Sequence, residues 1–214
     1  MPRFDDCRWK FPPVEKWPDD DDVVAYGADL APDTLLHAYT HGMFPMHVDR
    51  MRQTLGWWSP VMRGVLPLDG LRVTKSMRRS DRRFSVTFDT AFAEVMTQCG
   101  TTRTDGNWIT EDFLRAYTLL HHRGHAMSVE VRDGSGGIVG GLYGVRIDRF
   151  FAGESMFHRA TDASKVALVH LVDRLNEEGF TLLDTQWCTE HLASLGCTEV
   201  PRAEYLRRLA DSLD

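Results

Sequence analysis

The fold is decided by a segment that reads Gly140-Gly141-Leu142-Tyr143-Gly144-Val145, then Phe151-Ala152-Gly153-Glu154-Ser155-Met156-Phe157, then a long helical stretch, and finally Leu183-Asp184-Thr185-Gln186. Its periodicity predicts strand, strand, helix and strand. Residues two apart on a strand share a face. Glu154 is therefore expected to point the same way as Met156, and Asp184 the same way as Gln186. These polar side chains and a ring of apolar ones are predicted to line one cavity.

The composition of the 214-residue chain is that of an ordinary globular protein, with 43% hydrophobic and 26% charged residues. No apolar run approaches the roughly 18 residues that a membrane span requires, and the charged N-terminus lacks the apolar core of a secretion signal. We therefore expect a cytoplasmic protein without membrane contact. The four cysteines show no C-x-x-C spacing, and His37 and His41 have no third ligand nearby. We expect free thiols, no metal and no cofactor.

The charge of the chain is unevenly distributed. The whole chain carries −6, yet the window from Arg72 to Arg83 holds six cations and one carboxylate. A helix over 75–83 would place Lys75, Arg78, Arg79 and Arg82 on one face, with Arg83 beside them. Such a face is either simply solvated or binds phosphates, and the absence of a carboxylate from the stripe favours a nucleic-acid partner.

The remaining pattern predicts an α+β chain of two domains. A small N-terminal domain is expected over residues 1–60, ending at Gly56-Trp57-Trp58-Ser59-Pro60, and a larger one over 61–214. Helix signals precede Leu35, follow Asp89 and Thr110, and begin again at Asp162 and at Pro201. Residues 128–157 predict an antiparallel meander. We expect a mostly antiparallel sheet flanked by helices.

Three strands followed by a helix and a further strand form the central layout of the N-acyltransferase (GNAT-like) fold. Enzymes of that class usually bind the pyrophosphate of acyl-CoA with a glycine-rich turn at the helix N-terminus. Here the turn is His158-Arg159-Ala160-Thr161-Asp162-Ala163, which lacks glycine and adds a carboxylate. The layout therefore predicts the fold but argues against acyl-CoA as donor.

Eight short motifs occur in one order along the chain: Gly27-Ala28-Asp29-Leu30, Gly42-Met43-Phe44-Pro45, Trp57-Trp58-Ser59-Pro60, Trp108-Ile109-Thr110, Gly140-Gly141-Leu142-Tyr143-Gly144-Val145, Gly153-Glu154-Ser155-Met156-Phe157, Ala163-Ser164-Lys165 and Ala193-Ser194-Leu195-Gly196. Together they closely resemble the leucyl/phenylalanyl-tRNA–protein transferase family. The resemblance implies an enzyme that moves leucine or phenylalanine from aminoacyl-tRNA to the N-terminal arginine or lysine of a protein. That transfer marks the acceptor for degradation.

The resemblance also implies roles for individual residues. It places Asp184 and Gln186 at the reaction centre, with Glu154 binding the acceptor. It makes Leu142, Phe151, Met156, Leu171, Leu175 and Leu183 the pocket for the transferred side chain. Trp108 would pack on the terminal adenosine, with Met46 where the family has a second aromatic residue. Thr189 stands where the family usually has asparagine.

The residue types fit that chemistry on their own terms. An aminoacyl ester is already activated, so an attacking amine needs positioning, loss of a proton and shelter for the oxyanion. Gln186 is a poor base and is expected to orient the amine, with Asp184 fixing its amide and adding negative potential. Glu154 suits a guanidinium or ammonium group.

Other interpretations remain open at this point. An aspartate at a strand end is often only a structural acceptor, and an apolar pocket cannot be told from core by sequence. The alternatives are an N-acyltransferase that uses acyl-CoA and a non-catalytic module that binds aminoacyl-tRNA.

Overall fold

The computed structural model describes residues 7–49, 54–101 and 109–214. The helices are α1 (Pro32–Thr40), α2 (Lys75–Asp81), α3 (Phe92–Thr101), α4 (Glu111–His122), α5 (Ala163–Glu177), α6 (Glu190–Ser194) and α7 (Arg202–Ser212). The strands are β1 (Val23–Tyr26), β2 (Phe44–Asp49), β3 (Thr54–Trp58), β4 (Met62–Val65), β5 (Ser85–Phe88), β6 (Ala126–Arg132), β7 (Ile138–Ile147), β8 (Phe150–His158), β9 (Leu182–Gln186) and β10 (Thr198–Pro201).

Two sheets organise these elements. The first has the order β1-β3-β2 and the second the order β10-β4-β9-β8-β7-β6-β5. Every pair is antiparallel except β8 with β9. The predicted α+β class, the meander (now β6, β7 and β8) and the N-acyltransferase layout with α5 leading into β9 are confirmed.

Helices cover both faces of the large sheet. Leu171 of α5 and Met77 of α2 pack in one buried cluster with Leu183 of β9. A second cluster joins residues of α1, α3, α4 and α7 to the opposite face of the sheet, and it also contains Trp57 of the first sheet. The hydrophobic core is therefore continuous across residue 60. The division into two domains at that point stays a prediction.

The end of α1 shows how local sequence sets the N-terminal unit. Pro32 suits the first turn because it lacks an amide hydrogen that would need a partner there. Gly42 follows the helix with φ +82°, a left-handed conformation that a side chain would strain. The helix predicted before Gly42 is confirmed.

The parallel strands β8 and β9 diverge after three residue pairs, and this divergence creates the site. Their pairing covers Phe150↔Leu182, Phe151↔Leu183 and Ala152↔Asp184 only, although β8 continues to His158. On its other side β9 pairs with β4, where Asp184 lies opposite Val65. A gap therefore opens between the second half of β8 and the end of β9.

One predicted helix start is wrong. Asp89 was expected to cap α3, but α3 begins at Phe92 and Asp89 has φ +58°. The Asp89 carboxylate accepts the backbone N–H of Ser128 at 2.9 Å instead. It ties the β5–α3 turn to β6, a long-range contact that helix-start rules do not include.

Candidate active site between two diverging strands

A cavity of about 620 Å³ occupies the gap between β8 and β9. Glu154 and Met156 line it from β8, and Thr185 and Gln186 from β9. Further lining residues come from the first sheet, α5 and the β9–α6 region: Phe44, Pro45, Met46, His47, Val48, Trp58, Leu168, Leu171, Trp187, Thr189, His191 and Leu192. The site therefore draws on both sheets.

Glu154 reaches the cavity through a β-bulge. Tyr143 pairs with Ser155 and Gly144 with Gly153, which leaves Glu154 between them without a partner. A bulge re-aims the side chain it carries. The Glu154 Oε1 atom accepts the Tyr39 hydroxyl of α1 at 2.7 Å and the Gln186 Nε2–H of β9 at 3.2 Å.

The electrostatics of Glu154 favour its neutral form. Burial raises the pKa of the Glu154 carboxyl to about 8, and the nearby Asp184 carboxylate acts in the same direction. The Tyr39 hydrogen bond and the Arg63 charge lower that pKa only in part. At neutral pH the free site therefore holds Glu154 mostly protonated.

Gln186 is placed by a close backbone approach. It ends β9 with φ +58° and lies opposite Gly64 of β4. A Cβ at Gly64 would come within 2.6 Å of the Trp187 carbonyl carbon and the Cys188 nitrogen. The glycine therefore lets the chain turn after Asp184, and the Gln186 amide meets Glu154 at the cavity wall.

Asp184 lies behind the cavity, in a fully buried ion pair. Arg63 Nε donates to its Oδ1 at 2.8 Å and Arg63 Nη2 to its Oδ2 at 2.6 Å. The Tyr205 hydroxyl of α7 donates to Oδ2 at 3.0 Å. The Asp184 side chain is 0% exposed and that of Arg63 1%. Burial opposes the charge of Arg63, but the Asp184 carboxylate holds the pKa of Arg63 above its usual value.

The predicted partnership of Asp184 and Gln186 needs two corrections. Asp184 Oδ1 accepts the backbone N–H of Gln186 at 2.9 Å, while the Gln186 side-chain amide donates to Glu154. Asp184 thus fixes the backbone of Gln186 rather than its amide group. Because Gln186 has a positive φ, strand alternation fails there, and Gln186 lines the cavity whereas Asp184 does not.

The predicted pocket residues divide into two groups. Leu142, Met156, Leu171 and Leu183 line the cavity. Phe151 and Leu175, both 0% exposed, lie in the buried cluster without lining it. Leu168 lines the cavity and was not singled out, although it lies one helical turn before Leu171 and i, i+3 spacing would have indicated it.

Of the two residues expected to bind the adenosine, the structure describes only Met46. Met46 lines the cavity from β2, and its carbonyl accepts the Trp58 indole N–H at 3.0 Å. Trp108 lies outside the described residues. Thr189 also lines the cavity, and its hydroxyl accepts the Leu192 backbone N–H at 3.3 Å as the N-cap of α6.

The basic face predicted around α2 is exposed. Its members Lys75, Arg78, Arg79, Arg82 and Arg83 are all exposed to solvent. The α2 helix covers Lys75–Asp81, so Arg82 is its C-cap residue rather than a member of its last turn. The face is open to an approaching polyanion.

The start of α5 is occupied by the chain's own carboxylate. Asp162 has φ +65° at the N-cap and forms no side-chain cap. Its Oδ2 accepts the Ser76 hydroxyl of α2 at 2.6 Å, and its Oδ1 accepts the Lys165 ammonium at 3.0 Å. A phosphate brought to this helix start would meet that negative charge, which counts against acyl-CoA.

Sequence patterns did not indicate a functional role for four residues that the structure places at or behind the site: Arg63, Tyr39, Tyr117 and Tyr205. Arg63 interrupts the otherwise apolar run from Val61 to Leu66, which is the one signal that marks it. The tyrosines occupy apolar helix positions and are indistinguishable from core residues by pattern. Only the fold brings their hydroxyl groups to Glu154 and Asp184.

Two features are absent from the part of the chain that the structure describes. No three His, Cys, Asp or Glu side chains among residues 7–49, 54–101 and 109–214 are grouped to hold a metal ion. Within the same ranges, no helix combines the length and apolarity needed to span a bilayer.

Comparison with known proteins gives matches along most of the chain. The family described as "Leucyl/phenylalanyl-tRNA protein transferase" matches residues 65–210, and its N-terminal domain matches residues 28–61. A relative named "Leucyl/phenylalanyl-tRNA--protein transferase" in Stutzerimonas stutzeri is 49% identical over 209 residues, covering 95% of this chain and 91% of that protein. A relative with the same name in Cereibacter sphaeroides is 50% identical over 186 residues, covering 86% of each.

Similarity to solved structures is weaker. A GCN5-related N-acetyltransferase from Kribbella flavida gives a TM-score of 0.40 at 14% identity, covering 77% of this chain and 58% of that one. The structure of L-PGS from Bacillus licheniformis gives 0.41 at 12% identity, covering 58% and 45%. The sequence matches confirm the resemblance seen in the ordered motifs, and the chain belongs to the leucyl/phenylalanyl-tRNA–protein transferase family.

Proposed function

We propose that this chain transfers leucine or phenylalanine from aminoacyl-tRNA to the N-terminal arginine or lysine of an acceptor protein. The new peptide bond would mark that protein for degradation. One observation carries the proposal: an apolar cavity in which the Glu154 carboxyl and the Gln186 amide meet at one wall. The cavity accommodates an apolar side chain, and the polar wall faces the reacting atoms.

The reaction itself needs no nucleophilic side chain. The acceptor's neutral α-amine attacks the ester carbonyl, a C–N bond forms, and the C–O bond to the terminal ribose breaks. The amine loses one proton overall, and the ribose hydroxyl gains one as it leaves. Because the ester is already activated, correct positioning of the amine supplies much of the rate.

We assign the roles by what each side chain touches. Gln186 orients the attacking amine, and Glu154 binds the cationic side chain of the acceptor through charge-assisted hydrogen bonds. Asp184 acts through the Gln186 backbone and is a positioning residue. Free Glu154 is mostly protonated at neutral pH because burial raises its pKa to about 8. Acceptor binding would therefore release a proton.

The donor would lie across the cavity and the basic face. Leu142, Met156, Leu171 and Leu183 would enclose the transferred side chain. Apolar pockets discriminate by only about 1–3 kcal/mol per methylene, so methionine is a further candidate. The terminal adenosine would lie near Met46, with Trp108 as its second contact, and the acceptor stem along the basic face.

Two alternatives fit less well. An enzyme using acyl-CoA would need phosphates at the start of α5, where the Asp162 carboxylate lies. Tight acetyl-CoA binding that tRNA does not compete with would favour it. A silent tRNA-binding module has no need for Glu154 and Gln186 in contact. Tight tRNA binding without transfer would favour that module.

The decisive experiment supplies radiolabelled leucyl-tRNA with two peptides that differ only in the first residue, arginine or glutamate. We expect label on the arginyl peptide alone. Label on neither peptide, or on both equally, would contradict the proposal. Repeating the assay with phenylalanyl-tRNA and methionyl-tRNA ranks the donors.

The docking surface is tested by reversing two charges. We expect Arg78→Glu with Arg79→Glu to weaken tRNA binding and to flatten its salt dependence by about two charges. Reversal of the adjacent pair Arg207 and Arg208 on α7 is the matched control and should leave the salt slope unchanged. An unchanged slope in the α2 variant would show that tRNA docks elsewhere.

The nature of the donor and the lining of the cavity also lead to proposals about the cellular compartment and the domains of the protein. Aminoacyl-tRNA is a cytoplasmic substrate, so we propose that the chain works in the cytoplasm. We further propose that residues 1–60 and 61–214 act as two units that share the cavity, since Met46 and Trp58 line it together with Glu154.

A further inference from the structure

A chain of hydrogen-bonded oxygen atoms leads from the core to Glu154. The Tyr117 hydroxyl of α4 lies 2.5 Å from the Tyr39 hydroxyl of α1, which lies 2.7 Å from Glu154 Oε1. Tyr39 has one hydroxyl proton and donates it to Glu154, so Tyr117 donates to Tyr39. The two tyrosines are 0% and 1% exposed. Both hydroxyl groups therefore lie in the protein interior.

Polar and charged groups from six elements surround Glu154. Tyr39 and Tyr117 face it from α1 and α4, Arg63 lies behind it on β4, and Asp184 and Gln186 lie on β9. His47 and His191 line the same cavity from β2 and α6. Within the described residues, the hydrogen bonds to Glu154 come from a phenol and an amide, both neutral. The site thus leaves a place for an incoming cation.

We infer that the Tyr39 hydroxyl is a positioning group that holds Glu154 ready to ionise when a cationic acceptor residue arrives, with Tyr117 fixing Tyr39. The inference rests on the proposed function and adds a source of acceptor selectivity. When a guanidinium or ammonium group binds, the Glu154 O–H bond breaks, the proton leaves to solvent, and N–H···O bonds form. A neutral acceptor side chain does not compensate the cost of ionising a buried acid.

The direction of the effect follows from the contacts. Burial raises the pKa of Glu154, and the Tyr39 hydrogen bond lowers it. Loss of the hydroxyl should therefore raise that pKa further, by about one to two units, the equivalent of one hydrogen bond to a charged group. Cation binding at neutral pH would weaken about tenfold for each unit.

The two tyrosines provide a matched pair of variants. Tyr39→Phe removes the hydroxyl that contacts Glu154. Tyr117→Phe removes an equally buried hydroxyl but leaves the Tyr39 donation intact. The double variant removes both hydroxyls and leaves neither without a partner, so it replaces Tyr39→Phe if the single variant does not fold.

The first measurement is an infrared titration of the Glu154 carboxyl, assigned by its loss in Glu154→Gln. We expect the midpoint to rise by about one to two pH units in Tyr39→Phe and in the double variant, and by less than half as much in Tyr117→Phe. A Tyr39→Phe midpoint equal to that of wild type would overturn the inference, whether or not the protein transfers amino acids.

The second measurement is calorimetric binding of an arginyl peptide without donor. At pH 7 we expect Tyr39→Phe to bind about tenfold or more weakly and to recover at higher pH, which packing damage would not do. Failure to recover would overturn the inference. Failure of the wild type to bind or modify the arginyl peptide would instead overturn the proposed function, even with the shifted titration.

Discussion

Asp184 and Glu154 both contact Gln186, yet their surroundings are opposite: Asp184 is fully buried, whereas Glu154 is half-buried at the wall of the cavity. Asp184 is held by the Arg63 guanidinium, the Tyr205 hydroxyl and a backbone N–H. Glu154 is held by the Tyr39 hydroxyl and the Gln186 amide, and burial raises its pKa to about 8. The protein has neutralised one charge and left the other to a ligand.

The difference between the surroundings of Asp184 and Glu154 indicates which carboxyl group has a structural role and which binds a ligand. A buried ion becomes tolerable when a counter-ion and hydrogen bonds replace water. Asp184 has both, so it is part of the framework that fixes Gln186. Within the described part of the chain Glu154 forms no ion pair and its side-chain hydrogen bonds come from neutral donors, which leaves the interaction available to a cationic substrate.

The largest effect is expected from Arg63→Met, which removes the cation of the Arg63–Asp184 ion pair. It leaves Asp184 charged, buried and without a cation, so the free energy of unfolding should fall by about 3–5 kcal/mol. Denaturant titration measures this. Adding Asp184→Asn should restore part of the loss. A loss below about 1 kcal/mol would mean that the ion pair does not support the site.

A smaller effect is expected from Gln186→Met, which keeps the size of the side chain and removes the amide that donates to Glu154. Turnover should fall about 100-fold because the amine is no longer positioned, while donor KM changes little. Steady-state kinetics at saturating leucyl-tRNA give the split. Near-normal turnover would show that the amide has no orienting role.

The pH dependence of the free energy of unfolding tests the raised pKa of Glu154. Because the pKa of Glu154 is raised from 4.5 to about 8, the folded state keeps a proton that the unfolded state loses. Stability should therefore fall as pH rises between these values. Glu154→Gln removes that loss, so its advantage over wild type should grow by roughly 3–4 kcal/mol between about pH 5 and pH 8. A constant difference would mean that Glu154 ionises normally.

The smallest effect is expected from Tyr205→Phe, which removes one donor from Asp184. Arg63 and the Gln186 backbone remain, so unfolding should become easier by only about 1 kcal/mol. Urea titration measures the change in the free energy of unfolding. A loss as large as that of Arg63→Met would show that the hydroxyl, and not the guanidinium, holds Asp184, and would remove the contrast with Glu154.

The sequence predicted much of the framework because local patterns determine it. Alternation in β8 correctly placed Glu154 and Met156 at one cavity, and the i, i+3, i+4 spacing correctly placed Lys75, Arg78 and Arg79 on the exposed surface of α2. Strand alternation failed at Asp184 and Gln186 because it assumes extended backbone at every position, whereas Gln186 has φ +58°. The bulge at Glu154 and the positive φ of Gln186 re-aim side chains, and cross-strand pairing decides both.

Residues on distant elements were beyond local patterns. Arg63 and Asp184 are 121 positions apart, and Tyr39 and Glu154 are 115 apart. Helical spacing assigns Tyr39 to the apolar core, and the structure does bury its ring there. Its hydroxyl gains a role only because α1 packs where the bulge of β8 presents a carboxyl group.

The amino-acid sequence by itself determined the order of the elements, the ordered motifs of the family and the identity of the polar groups at the site. The tertiary structure alone decided which carboxylate is paired and which is left for a ligand. The reason is physical: the ionisation of a buried acid depends on the donors and charges within a few ångströms of it, and these come from segments far apart along the chain.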